Sequence, residues 1–114
     1  MRVVRIKIAL PSNIVGGVAK CVLAEIWDAS LADVPSILLT QELLHDVTLI
    51  PNSNLEVELR VPHTSVEQVL IVRVHISMDG SKQIKPGDLL TTSFVEVPHN
   101  LERDRLTVPV ALIN

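Results

Sequence analysis

Period-two alternation of apolar and polar residues, repeated in several short runs, most constrains what this chain can fold into. Leu55, Val57, Leu59 and Val61 alternate with Glu56, Glu58 and Arg60. Val4, Ile6, Ile8 and Leu10 alternate with Arg5, Lys7 and Ala9. Leu70, Val72, Val74, Ile76 and Met78 alternate with Arg73, His75 and Ser77. Successive strand side chains point to opposite faces, so each run reads as a half-buried strand with one face on a core. Turn residues bound the runs: Pro11-Ser12-Asn13, Gly16-Gly17, Pro51-Asn52-Ser53-Asn54, Pro62, Asp79-Gly80 and Pro86-Gly87. The last pair suits a type II turn.

Four further segments complete the expected set. Val18–Asp28 reads as a second strand, with Val22, Ala24 and Ile26 on the core face and Leu23 and Trp27 on the outer one. Ser36–Leu44 is apolar on both faces, as a central strand covered on both sides is, with a short helix over Leu39–Leu44 as the alternative. His45-Asp46 breaks it before a short extension, Val47–Ile50. Thr91–Val97 and Leu106–Ile113 follow, and Pro109 assigns the last strand to an edge or a bulge. Residues 1–114 are thus expected to form a single-domain, all-β, two-sheet β-sandwich of about seven strands with at most one or two short helical turns. A closed barrel is the alternative. At 114 residues the chain buries about two-thirds of its unfolded surface, enough for a core without staples. Hydrophobic residues are 47% and aromatics 2%, so branched aliphatics must build that core.

Ala24–Pro35 joins the second strand to the third. Ser30 and Asp33 have the spacing of a capping box with Asp in the Glu place, which predicts one helical turn closed by Ser30. Val34 before Pro35 returns to extended geometry. Asp28, Ser30, Asp33 and Pro35 are therefore a structural loop; Asp28, Ser30 and Asp33 lack the spacing of an EF-hand calcium loop. A second single turn is expected in His63–Gln68, with Thr64 as its N-cap.

This loop carries a family resemblance. Asp28-Ala29-Ser30-Leu31-Ala32-Asp33-Val34-Pro35, with Val22, Ala24 and Ile26 ahead of it, resembles the YbaY/YscW family of small bacterial β-sandwich lipoproteins. Ile8-Ala9-Leu10-Pro11 fits that family's first strand and turn, and Met78-Asp79-Gly80 its fifth-strand hairpin. The outline covers roughly residues 5–98, with Ser30–Pro35 as the specific part. The family includes pilotins of type III secretion, which escort an outer-membrane secretin ring to its place. The resemblance implies a binding or chaperone module without catalysis or cofactor. Leu89–Val97 and Gly16-Gly17 depart from the pattern, as does the lack of a signal peptide or lipidated cysteine.

The residues themselves point the same way. The net charge is −3 with scattered Lys and Arg, which offers no basic stripe for nucleic acid. No apolar run is long enough to span a bilayer. No signal peptide or lipobox is seen, since Lys20 directly precedes Cys21, and the default expectation is cytoplasmic. Cys21 sits mid-strand with no His near it in sequence, and no Gly-x-Ser-x-Gly elbow or phosphate loop is present, so no enzyme is expected. His45, His63, His75 and His99 show no metal-ligand spacing. A site assembled in space from those loops is the basis of a second reading, a small metal- or ligand-binding protein. The leading expectation is a protein-binding module or self-associating protein whose surface includes Leu23 and Trp27.

Overall fold

The structure, a computed structural model, describes residues 2–31, 33–62, 68–93, 95–98 and 106–114. Alternating sequence produces two packed sheets. The smaller has the order β4-β1-β8, where β1 is Arg2–Ala9, β4 Asn54–Val61 and β8 Leu106–Pro109. The larger has the order β3-β2-β5-β6-β9, where β2 is Gly17–Asp28, β3 Ile37–Leu49, β5 Leu70–Ser77, β6 Leu89–Leu90 and β9 Ala111–Leu112. A short β7, Val95–Glu96, also pairs with β5. No helix occurs among the described residues. The protein is an all-β sandwich, as its alternation predicts.

The core lies between the sheets. Val4, Ile6 and Ile8 of β1 and Val57, Leu59 and Val61 of β4 meet Val22, Ala24 and Ile26 of β2 and Leu70, Val72, Val74 and Ile76 of β5. All are buried. β1 runs antiparallel to β4 and parallel to β8. Pro109 ends β8 at the sheet edge, where its missing N–H costs no ladder bond. The chain then crosses to the larger sheet through Val110, whose N–H bonds Ala9 O at 3.3 Å.

Several expectations change. Ser36–Leu44 is not a central strand. From Ile37 on it belongs to β3, which runs through His45 and Asp46 to Leu49 and forms the edge of the larger sheet. Asp46 takes a left-handed φ of 52° instead of breaking the strand, a conformation that Asp tolerates better than most residues. The register pairs Ala19 with Val47 and Cys21 with His45 on either side of Lys20 and Asp46, and there the buried face of β2 changes: Ala19 is fully buried while Val18 is exposed. Of the expected Thr91–Val97 strand only Val95–Glu96, β7, is strand among the described residues, and β6, Leu89–Leu90, precedes it; Leu106–Ile113 resolves into β8 and β9. The helical turn placed in His63–Gln68 falls largely outside the described residues. The turn at Pro86-Gly87 agrees with a type II turn: Gly87 has φ 94° and Asp88 N–H bonds Lys85 O at 3.0 Å.

Candidate interaction surface

The antiparallel registers fix which side chains share the face of the larger sheet turned away from the core. Leu23 stands between Leu43 of β3 and His75 of β5. Glu25 stands between Gln41 and Arg73, and Trp27 between Leu38 and Ile71. A bulge in the β2–β3 ladder at Ile26/Trp27 brings Leu38 onto the same face as Leu43. Leu23 and Trp27 are half-buried. The Arg73 guanidinium lies over the Trp27 ring, 5.8 Å from its centroid, a cation–π distance. The indole Nε1 is buried and has no hydrogen-bond partner among the described residues.

Exposed aliphatics lie on both sides of this end of the sheet, with Leu31, Val34 and Ile37 around one cleft and Leu38 and Leu43 on the outer face. Leu31, Val34, Ile37, Leu38 and Leu43 are all exposed, Leu31 at 69%. They come from the β2–β3 connection and the first half of β3. A shallow cleft of about 180 Å³ lies between Asp28, Ser30, Leu31, Val34, Pro35 and Ile37. A second of about 340 Å³ opens beside Ile71 and Arg73 and is bordered by Ser36 and Thr91. Apolar surface grouped in this way, rather than scattered singly, makes this end of the sheet the candidate contact face.

The β2–β3 connection is held by Asp28 and not by the expected capping box. Asp28 Oδ1 accepts the Ser30 N–H at 2.9 Å and also the Ser30 hydroxyl. Asp28 Oδ2 accepts Gln68 Nε2 at 2.8 Å. Ser30 Oγ in turn accepts the Val69 N–H at 2.9 Å, and Ala29 N–H bonds Val69 O at 2.8 Å. The Ser30 hydroxyl hydrogen bond, then the Gln68 bond, hold the Asp28 carboxyl below the usual carboxylate range. Asp33 is exposed and makes no hydrogen bond among the described residues, so Asp28 ties the loop to the start of β5 without it. Pro35 is exposed and lines the smaller cleft.

The histidines do not converge among the described residues. His75 Nε2 lies 3.0 Å from Asp88 Oδ2. An ionised carboxylate only accepts, so this ring nitrogen carries the proton. Asp88 is buried, and also accepts the Met78 and Lys85 N–H groups, each at 3.1 Å. Burial disfavours its charge, but the bonds from His75 and the two amides outweigh burial and lower its pKa. This pair anchors the 78–88 connection, and the sequence reading missed it. The available signal was a lone acid, Asp88, directly before the apolar Leu89-Leu90. His45 is exposed, with Nδ1 3.8 Å from the Cys21 thiol across the β2–β3 ladder. His63 and His99 lie outside the described residues. No group of three potential metal ligands occurs among the described residues, and no described helix is long and apolar enough to cross a membrane.

The fold and surface define a class: a small two-sheet β-sandwich with one sheet face left partly uncovered at an apolar edge. Comparison with known proteins agrees with that class. The chain is similar to the solved structure of an alternative pilotin from the type II secretion system of Vibrio cholerae, with a TM-score of 0.66 at 20% identity. The likeness spans 98% of this chain and 96% of that one. At this identity the two share a fold. No protein-family model and no curated protein matches the sequence. The sequence resemblance implied pilotins of type III secretion, whereas the structural likeness is to a type II pilotin, and the narrower YbaY/YscW assignment has no family match behind it.

Proposed function

We propose that this protein is a non-catalytic interaction module of the pilotin kind, which binds a protein of a bacterial secretion system and assists its placement. The observation that carries this reading is the full-length likeness to a type II pilotin, covering 98% of the chain. The apolar corner at Leu31–Leu43 supplies a surface suited to a protein partner. The second reading, a metal site built from loop histidines, gains no support from His75, whose Nε2 is taken by Asp88.

The test is genetic and biochemical. In the native host, deletion of the gene should deplete secretin multimers from the outer-membrane fraction and lower secretion of type II substrates, with rescue by the wild-type copy. Unchanged secretin assembly and secretion would contradict the reading.

A further inference from the structure

β3 forms one end of the larger sheet, so the backbone groups on its far side have no strand partner among the described residues. Soluble proteins usually blunt such an edge with Lys, Pro, a short strand, a bulge or an inward-pointing charge. β3 lacks the first three: it runs for thirteen residues, Ile-Leu-Leu-Thr-Gln-Glu-Leu-Leu-His-Asp-Val-Thr-Leu, without Lys, Arg or Pro. Its bulge falls near one end and its left-handed Asp46 near the other, which leaves Thr40–His45 as regular strand between them.

The two faces of this edge differ in chemistry. On the outer face Leu38 and Leu43 are 39% and 45% exposed, in line with Trp27 and Leu23, with the exposed Gln41 between them opposite Glu25. On the opposite face Glu42 pairs with the fully buried Ala24, yet Glu42 itself is exposed. No Lys or Arg occurs anywhere from Cys21 to Leu59. Lys20 and Asp46 lie between the Ala19–Val47 and Cys21–His45 pairs, whereas Glu42 has alanine across the ladder. Asp33, in the loop leading to β3, adds a further exposed carboxylate. A second copy paired antiparallel on this edge would bring Glu42 and Asp46 of both chains along one seam and add no cation from residues 21–59. Like charges so placed destabilise strand pairing.

We propose that the free edge of β3 takes up an extended segment of a partner protein in which apolar residues alternate with Lys or Arg. An added strand also has a period of two. One row of its side chains lies beside Leu38, Gln41 and Leu43 and is best apolar at the two leucines. The other lies beside Thr40, Glu42 and Leu44 and is best basic at Glu42. Main-chain hydrogen bonds to β3 supply affinity and the alternation supplies selectivity. This inference rests on the reading of the protein as an interaction module and adds the chemistry of the segment it takes.

The test uses the purified chain and a labelled dodecapeptide of alternating Val and Lys, followed by fluorescence anisotropy and hydrogen–deuterium exchange. The alternating peptide should bind saturably, more weakly as salt is raised, and should slow exchange within residues 37–49. A block peptide of the same composition, all Lys and then all Val, and an alternating Val–Glu peptide should bind far less. Glu42→Lys should weaken binding roughly two- to fivefold, and Leu43→Lys should also weaken it; both positions are exposed, so the fold is retained. Equal binding of the block peptide, protection elsewhere than 37–49, or no binding would overturn the proposal. So would a concentration-dependent dimer of the free protein that protects the same residues. If the peptide fails while gene deletion still depletes secretin multimers, the edge assignment falls and the interaction reading stands.

Discussion

Leu23 and Leu43 stand directly opposite each other on β2 and β3, on the sheet face that is turned away from the core. Leu23 is half-buried and Leu43 is 45% exposed. The apolar row thus grows more open toward the edge strand, where no further strand continues it among the described residues.

Trp27 reports on that face. It is the only tryptophan and the chain has no tyrosine, so its emission is unmixed. With the ring half-buried and Arg73 above it, acrylamide should quench it at a rate between those of free indole and a core tryptophan. Arg73→Ala should raise that rate while leaving the circular dichroism unchanged. Complete shielding in a monomer would mean that other parts of the chain cover this face.

Asp28 is the centre of the β2–β3 connection, which reverses the expectation that Ser30 caps the loop. Asp28→Ala leaves the Ser30 and Gln68 donors without their acceptor and should lower stability more than Ser30→Ala does. Ser30→Ala removes the acceptor for the Val69 N–H and should cost about 1 kcal/mol. Asp33→Ala should change the denaturant midpoint little. Equal losses for Ser30 and Asp33 would restore the reciprocal cap instead.

Asp88 gives the fold a defined sensitivity to acid. Its folded pKa is lowered, so its contribution is complete above the unfolded carboxylate value, about 3.9. It is lost as pH falls through the folded value. Asp28 and Asp79 are shifted the same way, Asp79 to about 2 chiefly through its hydrogen bond from Lys85, so acid unfolding should be a sum of several groups. Asp88→Asn should lower stability at neutral pH by roughly 1–3 kcal/mol and flatten the loss below pH of about 4. Chemical denaturation across pH reads both effects; an unchanged slope in the variant would remove Asp88 from the account.

How far these features were legible in the sequence depends on how local their causes are. β1, β4 and β5 follow from alternation because each has one face on the core and one in water. β3 reads as central in the sequence because an apolar residue on both faces looks the same whether its own sheet, a partner or nothing covers it. Ile37, Leu38 and Leu43 are exposed, which no periodicity could reveal. The two-residue strands β6, β7 and β9 exist through tertiary pairing, such as Leu89 with Leu112, and carry no pattern of their own. Leu23 and Trp27 were placed on the outer face by the pleat alone. Their neighbours Leu38 and Ile71 needed the registers, and the Asp88–His75 pair needed the fold of the 78–88 connection.

The most direct test is site-specific photocrosslinking in the native host. A photoreactive residue replaces Leu43 on the outer face of β3 or, as a control, Glu58, an exposed position on β4 of the smaller sheet. The account predicts that the residue at 43 forms an adduct with the secretin and that the residue at 58 forms none. Adducts with the secretin from 58 and none from 43, with both variants folded, would contradict it.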